Sequence, residues 1–418
     1  MASARQLALR ALVRRRTGQE FADQVINQLL KASSLGPADR GFALELFYGV
    51  LRNLTLLDFW IGKLRSTDLD PRTRDLLRLG IYQLFLLQTP PHAAVFETVA
   101  LAPQRTRPLI NAILRRASRE DAHLTKAAEA QPIAIRYSTP EFLIDRWARQ
   151  FGIEASLALC QWNNRPAPNY LRINQLRITP EKFLERYPGS FLLPRRTNFA
   201  SLTNPTAATE KGDGYIQDPS TALACEMLQP GPGESVLDAC AAPGGKTAYL
   251  AEMMRNEGLL VAADADEIRL QRLRENLLRL GVSNVHLVHC NWLDETSICS
   301  AALKEHSFDH ILVDAPCTNT GVIRRRVDVR WRLRPDDFVR MPRQQFSILR
   351  AVRRFLKPGG SLVYSTCSLE SEENEGVVKS FLRVEPDFRL TIRAESLPFR
   401  DQFDGAFAAR LHQGPAVE

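Results

Sequence analysis

The chain lacks the features that define several common protein classes. No stretch reaches the roughly 18 uninterrupted apolar residues that a transmembrane helix needs, and there are no internal repeats or low-complexity tracts. The seven cysteines include no C-x-x-C pair and no paired Cys/His spacing typical of zinc, and no secretory signal precedes them. We therefore expect a monomeric cytoplasmic protein with free thiols, without membrane span, disulfide framework or bound metal.

Positive charge is concentrated in the first third of the chain. Residues 1–150 contain 22 Lys and Arg against 14 Asp and Glu, a net charge of +8, whereas residues 151–418 contain 33 of each sign. A basic excess confined to one module predicts a polyanionic partner, most simply a nucleic acid. A solvated basic surface is the alternative.

The hydrophobic pattern divides the chain into three segments. Residues 1–130 carry apolar residues at three- and four-residue spacing and predict a helical bundle. The Arg-rich start, residues 1–16, has the composition of a transit peptide, but its leucines fit one face of a first helix, which we favour. Residues 131–215 have mixed character and predict a small linking α/β subdomain.

Residues 216–418 alternate strand and helix. The predicted strands are Ser235–Asp238, Leu259–Ala263, Val285–Val288, His310–Val313 and Ser361–Tyr364, and the predicted helices are Lys246–Arg255, Glu267–Leu280 and Gln344–Leu356. This alternation is typical of an α/β domain with a mostly parallel sheet wrapped by helices. We expect the chemistry to lie in this segment.

A glycine-containing loop joins the first of these strands to its helix. It consists of Ala241, Ala242, Pro243, Gly244, Gly245 and Lys246, and Cys240 borders it, where packing is the simpler role. The loop matches neither G-x-G-x-x-G nor a P-loop, so a phosphate site is a poor fit. Asp264 ends the second strand, where an acid typically accepts hydrogen bonds from ribose. The loop and Asp264 together predict an adenosine-bearing cofactor, but they do not distinguish a dinucleotide from S-adenosyl-L-methionine. The alternative role for Asp264 is that of a helix cap.

Two cysteines follow the last two predicted strands. Cys317 closes the string Asp314-Ala315-Pro316-Cys317, and Cys367 lies in Ser365-Thr366-Cys367-Ser368. Since open α/β sheets bind ligands at the carboxyl ends of their strands, both positions favour nucleophilic sulfur chemistry. A cysteine after a strand is otherwise a small buried hydrophobe, which is what we expect of Cys160, Cys225, Cys290 and Cys299.

Together these strings resemble the RNA 5-methylcytosine methyltransferases, within them the bacterial Sun/RsmB branch that acts on 16S ribosomal RNA. The match rests on D-A-C-A-A-P-G-G-K-T, D-A-P-C, S-T-C-S and Glu372-Glu373-Asn374. In the first segment, Leu79-Gly80-Ile81-Tyr82-Gln83 and Ile110-Asn111-Ala112-Ile113 resemble the NusB-type RNA-binding fold. The resemblance implies a Rossmann-like class I methyltransferase domain that uses S-adenosyl-L-methionine, behind a NusB-like bundle.

The resemblance also implies roles for single residues. It assigns Cys367 as the nucleophile that adds to carbon 6 of cytosine and Cys317 as the residue that assists release, with Asp314 and Lys246 lining the site. Residues 324–357, with 12 basic side chains and 3 acids, are then expected to contact RNA phosphates rather than to form a solvated face. Two roles are possible for Trp331 in this stretch: it can stack on a base of the RNA, or it can cover the hydrophobic core.

Three places depart from the family pattern, and one of them is the run Arg324-Arg325-Arg326-Val327-Asp328, which replaces the common R-R-H-P-D. Asn291 stands where the family usually has an acid after the third strand; its carbonyl can still accept from the adenine amino group. Phe403-Asp404-Gly405-Ala406-Phe407 replaces the usual D-G-F-F. Two other functions stay open: a non-catalytic RNA-binding or ribosome-assembly factor, which the four intact site residues disfavour, and an exocyclic-amine methyltransferase, which would show Asn/Asp-Pro-Pro-aromatic in place of Asp314-Ala315-Pro316-Cys317.

Overall fold

The computed structural model describes residues 3–298, 303 and 307–414, so Cys299 lies outside the described residues. The chain forms two compact units. The first comprises Met1–Pro166 and Ile323–Arg332, and the second comprises Ala167–Val322 and Leu333–Glu418. Among the described residues, no helix has the length and apolar character that crossing a bilayer requires.

The described residues of the first unit contain helices and no strand; apolar spacing predicts a helical bundle for residues 1–130 of it. Ser3 begins the first helix with a capping box, and Asp70 caps the fifth by accepting from the backbone N–H groups of Arg72 and Thr73. The helices, labelled in chain order, are α1 Ala4–Thr17, α2 Ala22–Lys31, α3 Pro37–Arg52, α4 Leu54–Leu64, α5 Pro71–Ile81, α6 Pro91–Ala100, α7 Arg107–Arg119, α8 Asp121–Glu129, α9 Ile133–Arg136, α10 Glu141–Phe151, α11 Ile153–Asn163 and α18 Val329–Arg332, with a π-helical turn at Tyr82–Leu86.

The segment Ile323–Arg332 completes the core of this unit. Val327 is buried in the same apolar cluster as the long helices. The carboxylate of Asp328 accepts from the backbone N–H of Ala22 at 2.9 Å, and the indole N–H of Trp331 donates to the carbonyl of Leu51 at 2.8 Å. The indole of Trp331 is therefore anchored to the backbone of α3 within the first unit.

Arginines of this segment also bind the protein itself. The guanidinium of Arg330 is 1% exposed and donates to the carbonyls of Tyr137, Ser138 and Asn163 and to the side chain of Asn164. Because burial penalises the charged form, the pKa of Arg330 is lowered. The expectation that this part of residues 324–357 contacts RNA phosphates is therefore wrong for Arg330.

Arg324 and Arg332 are used in the same way. Arg324 donates to the carbonyls of Arg165 and Pro166 and stacks over the ring of Trp162. Arg332 donates to the carbonyls of Gln19 and Glu20. Arg324, Arg330 and Arg332 thus bind backbone carbonyls of the helical unit. A count of basic residues cannot distinguish this role from phosphate binding.

The second unit contains two sheets. Its strands are β1 Tyr170–Ile173, β2 Phe191–Leu193, β3 Arg196–Ser201, β4 Gly214–Ile216, β5 Ser235–Asp238, β6 Leu259–Asp264, β7 Val285–His289, β8 Phe308–Asp314, β9 Leu356–Thr366, β10 Phe388–Ser396 and β11 Ala406–Gln413. Its helices are α12 Pro180–Arg186, α13 Thr206–Glu210, α14 Ala222–Leu228, α15 Gly245–Met253, α16 Glu267–Leu280, α17 Glu295–Ile298, α19 Asp337–Val352, α20 Glu375–Val384 and α21 Pro398–Asp401, with 3₁₀ turns at Pro219–Thr221, Thr320–Val322 and Arg353–Phe355.

The large sheet has the order β10-β11-β9-β8-β5-β6-β7 and is parallel from β9 to β7. The predicted α/β class with a mostly parallel sheet is confirmed. From β5 the chain winds to one side through β6 and β7, and then crosses to β8 and β9 on the other side. The point where the winding reverses, between β5 and β8, is where open α/β sheets bind ligands.

Two parts of this unit differ from the sequence prediction. The helix predicted over 344–356 runs from Asp337 to Val352 with Pro342 inside it, and Leu356 already belongs to β9. The antiparallel strands β10 and β11 were not predicted, since β10 has mostly exposed or half-buried residues and so no long apolar run. The small sheet, of order β2-β3-β1-β4, is entirely antiparallel.

We expect Arg330→Lys to lower the free energy of unfolding by about 2–3 kcal/mol, because an ammonium group cannot reach all the acceptors that the guanidinium satisfies and the buried carbonyls lose their donors. Urea denaturation followed by tryptophan fluorescence measures the change. Arg340→Lys, at a side chain that is 63% exposed, is the matched control. Equal stability of the two variants would show that Arg330 does not anchor the segment.

Candidate active site

Neighbouring strands bring the two cysteines together. β8 and β9 pair in parallel with Asp314 opposite Ser365, so the loops that follow them leave the sheet side by side. The sulfur atoms of Cys317 and Cys367 are 3.3 Å apart, and both thiols are free and partly exposed. The two strand-end thiols that the sequence singles out therefore share one site.

An asparagine that was not predicted orients this pair. The thiol of Cys367 donates to Oδ1 of Asn319 at 3.2 Å, while Nδ2 of Asn319 donates to the carbonyl of Cys317 at 2.7 Å. Asn319 has a φ of +60°, a conformation that Asn tolerates better than most residues. An Asn two residues after Cys317, in a loop that needs a left-handed turn, is the signal that would have found it.

A buried carboxylate ties the two cysteine loops to each other. Glu373 accepts from the backbone N–H of Thr318 at 2.9 Å, from the hydroxyl of Ser368 at 2.6 Å and from Nε2 of Gln345 at 2.8 Å; the hydroxyl of Thr318 also donates to it. Thr318 follows Cys317 and Ser368 follows Cys367, so one fully buried side chain fixes both loops. The sequence motif around Glu373 indicated the family but not this role.

The loops also meet through Gly321. Its backbone N–H donates to the carbonyl of Cys367 at 3.0 Å, and its carbonyl accepts from the N–H of Gly405 at 2.8 Å. A Cβ at position 321 would lie 2.7 Å from the carbonyl oxygen of Cys367 and 2.8 Å from that of Gly405. Only glycine permits this approach, because the clashing atoms belong to the backbone.

Lys246 and Asp314 form an ion pair across the switch point. Nζ of Lys246 is 2.6 Å from one carboxylate oxygen of Asp314, and the hydroxyl of Ser365 donates to the other at 2.8 Å. Burial alone would lower the pKa of Lys246, but the charge and hydrogen bond of Asp314 raise it above its usual value. Lys246 is thus a fixed positive charge, and the Asp314 side chain remains 32% exposed at the mouth of the site.

The environment keeps Cys317 protonated. Its hydrogen bond to Cys367, followed by burial and the charges of Cys367 and Glu373, raises the pKa of the Cys317 thiol well above the usual range. Burial likewise raises the pKa of the Cys240 thiol, with additional effects of Asp238, Asp264 and Asp314. Cys317 and Cys240 therefore lack the low pKa typical of an activated nucleophile, and both stay protonated at neutral pH.

The predicted cofactor loop lies between β5 and α15. Its glycines are required by packing inside the protein. A Cβ at Gly244 would lie 2.6 Å from Leu273, and one at Gly245 would lie 2.7 Å from the ring of Tyr215. Gly244 also has a φ of +106°, which disfavours other residues. The loop is therefore shaped by its own scaffold, with Ala241 held by a hydrogen bond to the carbonyl of Ala263.

Two acids stand behind this loop. Asp264 is buried and accepts from the backbone N–H groups of Ala242 and Asp266, so it braces the loop; the helix cap of α16 is Asp266. Asp238 accepts from the hydroxyl of Thr247 at 2.7 Å, while its second carboxylate oxygen is buried without a partner among the described residues. Burial raises the pKa of Asp238 to about 7.

Asn291 lies in the turn after β7. Its Oδ1 accepts from the backbone N–H of Leu293 at 3.1 Å, and its own N–H donates to Ser297. Next to it, the indole of Trp292 donates to the carbonyl of Ala239, which fixes this turn beside the strand that leads into the cofactor loop. The side-chain carbonyl that was expected to reach adenine is thus engaged in a local turn.

Comparison with protein families identifies three regions. The description 16S rRNA methyltransferase RsmB/F matches residues 225–412, the NusB family matches residues 2–119, and the RsmF/B-like ferredoxin-like domain matches residues 139–187. The helical first unit and the large sheet therefore each have a family counterpart, and the predicted NusB-like bundle is confirmed.

Individual relatives align over most of the chain. A probable ribosomal RNA small subunit methyltransferase B of Bacillus subtilis is 33% identical over 94% of this chain and 91% of its own. Ribosomal RNA small subunit methyltransferase B of Vibrio cholerae is 37% identical over 90% of each chain. The crystal structure of PH0851 superposes with a TM-score of 0.79 at 26% identity and covers 98% of both chains.

We expect Glu373→Gln to loosen both cysteine loops, because the amide nitrogen would face N–H and O–H donors that now point at a carboxylate. The loss of about 2 kcal/mol in local stability corresponds to a roughly 30-fold faster exchange of the Thr318 amide, measured by hydrogen–deuterium exchange mass spectrometry. Glu372→Gln, at the exposed neighbouring carboxylate, is the control. Similar exchange in both variants would contradict the role of Glu373.

Removing Cys367 should lower the pKa of Cys317, since the hydrogen bond and charge of Cys367 favour the protonated thiol. We therefore expect Cys317 in the Cys367→Ala variant to react with iodoacetamide at lower pH than in the parent chain. Peptide mass spectrometry across a pH series gives the midpoint. Cys160→Ala, in the other unit, should leave that midpoint unchanged. A midpoint that stays or rises in Cys367→Ala would show that the two sulfurs are not coupled.

Proposed function

The chain belongs to the 16S rRNA methyltransferase RsmB/F family, and from that premise we propose that it methylates carbon 5 of a cytidine in 16S ribosomal RNA through a covalent cysteine–cytosine adduct. One observation carries the proposal. Two thiols, neither of them in a disulfide, lie 3.3 Å apart after the neighbouring strands β8 and β9, and Asp314 at the end of β8 pairs with Lys246. An exocyclic-amine methyltransferase has no use for either sulfur.

Cys367 acts as the nucleophile. Carbon 5 of cytosine is a weak nucleophile. It becomes enamine-like when Cys367 loses its thiol proton to a solvent water, its sulfur bonds to carbon 6, and nitrogen 3 takes up a proton that it releases again when the ring is restored. After carbon 5 has gained its methyl group, its proton leaves to a solvent water. The bond between carbon 6 and sulfur then breaks, the electron pair returns to Cys367, and the aromatic ring is restored.

Cys317 assists the last of these steps. Its thiol has a raised pKa and lies within hydrogen-bond distance of the Cys367 sulfur. A thiol that holds its proton can donate to the sulfur that departs from carbon 6, which stabilises the returning negative charge. This arrangement supports Cys367 as nucleophile and Cys317 as release residue.

Asp314 holds the base, and Lys246 holds Asp314. Each carboxylate oxygen of Asp314 has one partner in the structure, and a carboxylate accepts about four hydrogen bonds, so the exposed side can still accept from the exocyclic amine of cytosine. That contact favours protonation of the ring at nitrogen 3, which makes carbon 6 more electrophilic. The ammonium group of Lys246 also favours a thiolate nearby.

The residues around the loop fit S-adenosyl-L-methionine. Asp238 offers a buried oxygen that has no partner in the described part of the chain, and Asp264 ends β6 behind the loop formed by Cys240 to Lys246, with Asn291 after β7. Bound there, the cofactor supplies an electrophilic methyl group beside the cysteines. We assign Asp264 to the ribose and Asn291 to the adenine, which requires both side chains to exchange some of their present backbone partners.

The helical unit binds the RNA in this proposal. The net charge of +8 in residues 1–150 gives it affinity for phosphates, and Arg330 contributes to the fold of the unit rather than to that surface. We retain 1–130, 131–215 and 216–418 as RNA-binding, linking and catalytic segments of a cytoplasmic monomer.

The adduct separates the roles of the two cysteines. Unmethylated 16S rRNA is incubated with S-adenosyl-L-methionine and each variant, and denaturing gels and bisulfite mapping are read together. Cys367→Ala should form neither product nor adduct, and Cys317→Ala should accumulate a denaturant-resistant RNA–protein band, because release is slowed.

Cys160→Ala, which changes a buried thiol outside the site, should behave as the parent chain does. An adduct that requires Cys317 and forms without Cys367 would exchange the two roles. Normal 5-methylcytidine formation by the Cys367→Ala, Cys317→Ala double variant would exclude covalent cysteine catalysis.

A further inference from the structure

The second unit contains a cleft that the reaction described above does not use. Its volume is about 480 Å³, within the range of small-ligand sites, and Arg195, Arg196, Asn198, Glu226 and Phe403 line it. Phe403 belongs to the string Phe403-Asp404-Gly405, where this sequence departs from the family pattern. We infer that this cleft holds a nucleotide of the RNA strand next to the target cytidine, an inference that rests on the proposed function.

Two chains of contacts link the lining of the cleft to elements that carry the reacting groups. On one side, the backbone N–H of Gly405, two residues after Phe403, donates to the carbonyl of Gly321. The N–H of Gly321 in turn donates to the carbonyl of Cys367. On the other side, Asn198 donates to the hydroxyl of Tyr249 at 2.8 Å. Tyr249 lies three residues after Lys246 on α15, a rise of roughly 4.5 Å.

The lining has the chemistry of a nucleotide site. Phe403 is half-buried and meets Tyr170 edge to face at a centroid distance of 5.7 Å, so its ring is held in place with part of its surface open to a base. A target base must leave its stack before Cys367 can reach carbon 6, and its neighbour then loses a stacking partner. Phe403 can replace that partner, as aromatic side chains do in single-strand binding proteins.

Arg195 supplies the positive charge. It is exposed in the turn between β2 and β3, and within the described part of the chain it pairs with no acid. Glu226, the one carboxylate in the lining, is already paired with Arg196 at 3.2 Å and accepts from Tyr249 at 3.3 Å. The cleft therefore presents a net positive charge beside an aromatic ring, which matches a phosphate and its base.

The test uses a single-stranded, unmethylated RNA fragment that contains the target cytidine found by bisulfite mapping, with an abasic site placed in turn at each flanking position. We expect one abasic position to raise the KM of the parent chain roughly 10-fold. Phe403→Ala should raise the KM for the intact fragment by a similar factor, and the abasic site at that position should then cause no further increase. Phe403→Tyr, which keeps an aromatic face, should restore the KM of the parent chain. Phe191→Ala, at a ring that is 71% exposed on β2, is the control.

Arg195 gives a second measurement that does not depend on turnover. Fluorescence anisotropy of the same fragment at several salt concentrations should show the slope of log affinity against log salt reduced by about one in Arg195→Asn and unchanged in Arg195→Lys and Lys182→Ala. Asn is chosen because residue 195 has a φ of +62°, which Asn tolerates. This variant tests the cleft even if Phe403→Ala fails to fold.

The outcomes distinguish this inference from the proposed function. The nucleotide site would be overturned, while methylation stands, if the KM effect of Phe403→Ala multiplied the effect of an abasic site at every position. An unchanged salt slope in Arg195→Asn would overturn it as well. Failure of the parent chain to methylate any RNA would overturn the proposed function, and the anisotropy series would still decide whether the cleft binds RNA.

Discussion

The parallel pairing of β8 with β9 is the constraint on which the site depends. With Asp314 opposite Ser365, both strands end at the same edge of the sheet, and the loops after them can carry two sulfurs to within 3.3 Å of each other. A shift of one residue in this register would turn the buried side chains to the other face and separate the cysteines. The same pairing lets Ser365 donate to Asp314, so the register also orients the carboxylate that faces Lys246.

Buried polar groups convert this register into a fixed geometry. Glu373 is a fully buried carboxyl group whose oxygens accept several hydrogen bonds. Its donors come from the loops after Cys317 and Cys367 and from α19, so movement of either loop would break buried hydrogen bonds. Gly321 adds backbone contacts at a separation that any side chain would prevent.

Much of this arrangement could be predicted from the sequence, and the remainder has identifiable physical causes. Local apolar patterns gave the helix Glu267–Leu280 and the strand Ser235–Asp238, and strand ends located both cysteines. The donors to Glu373 lie on separate loops and carry no local signal, so its role was found only in the structure, and Asn319 was missed although its position after Cys317 offered a signal. Charge counting was misleading at Arg330, because a guanidinium that binds buried carbonyls has the same composition as one that binds phosphate.

The short distance between the sulfurs gives the two cysteines different properties. Two thiolates 3.3 Å apart would repel each other strongly, so ionisation of one sulfur disfavours ionisation of the other. The hydrogen bond to Cys367, followed by burial and the charges of Cys367 and Glu373, raises the pKa of Cys317. Asn319 and Cys317 both approach the sulfur of Cys367, and the Cys317 thiol can donate to it when that sulfur is negative. In the proposed mechanism, the raised pKa of Cys317 and its closeness to Cys367 suit it to donate to the departing sulfur.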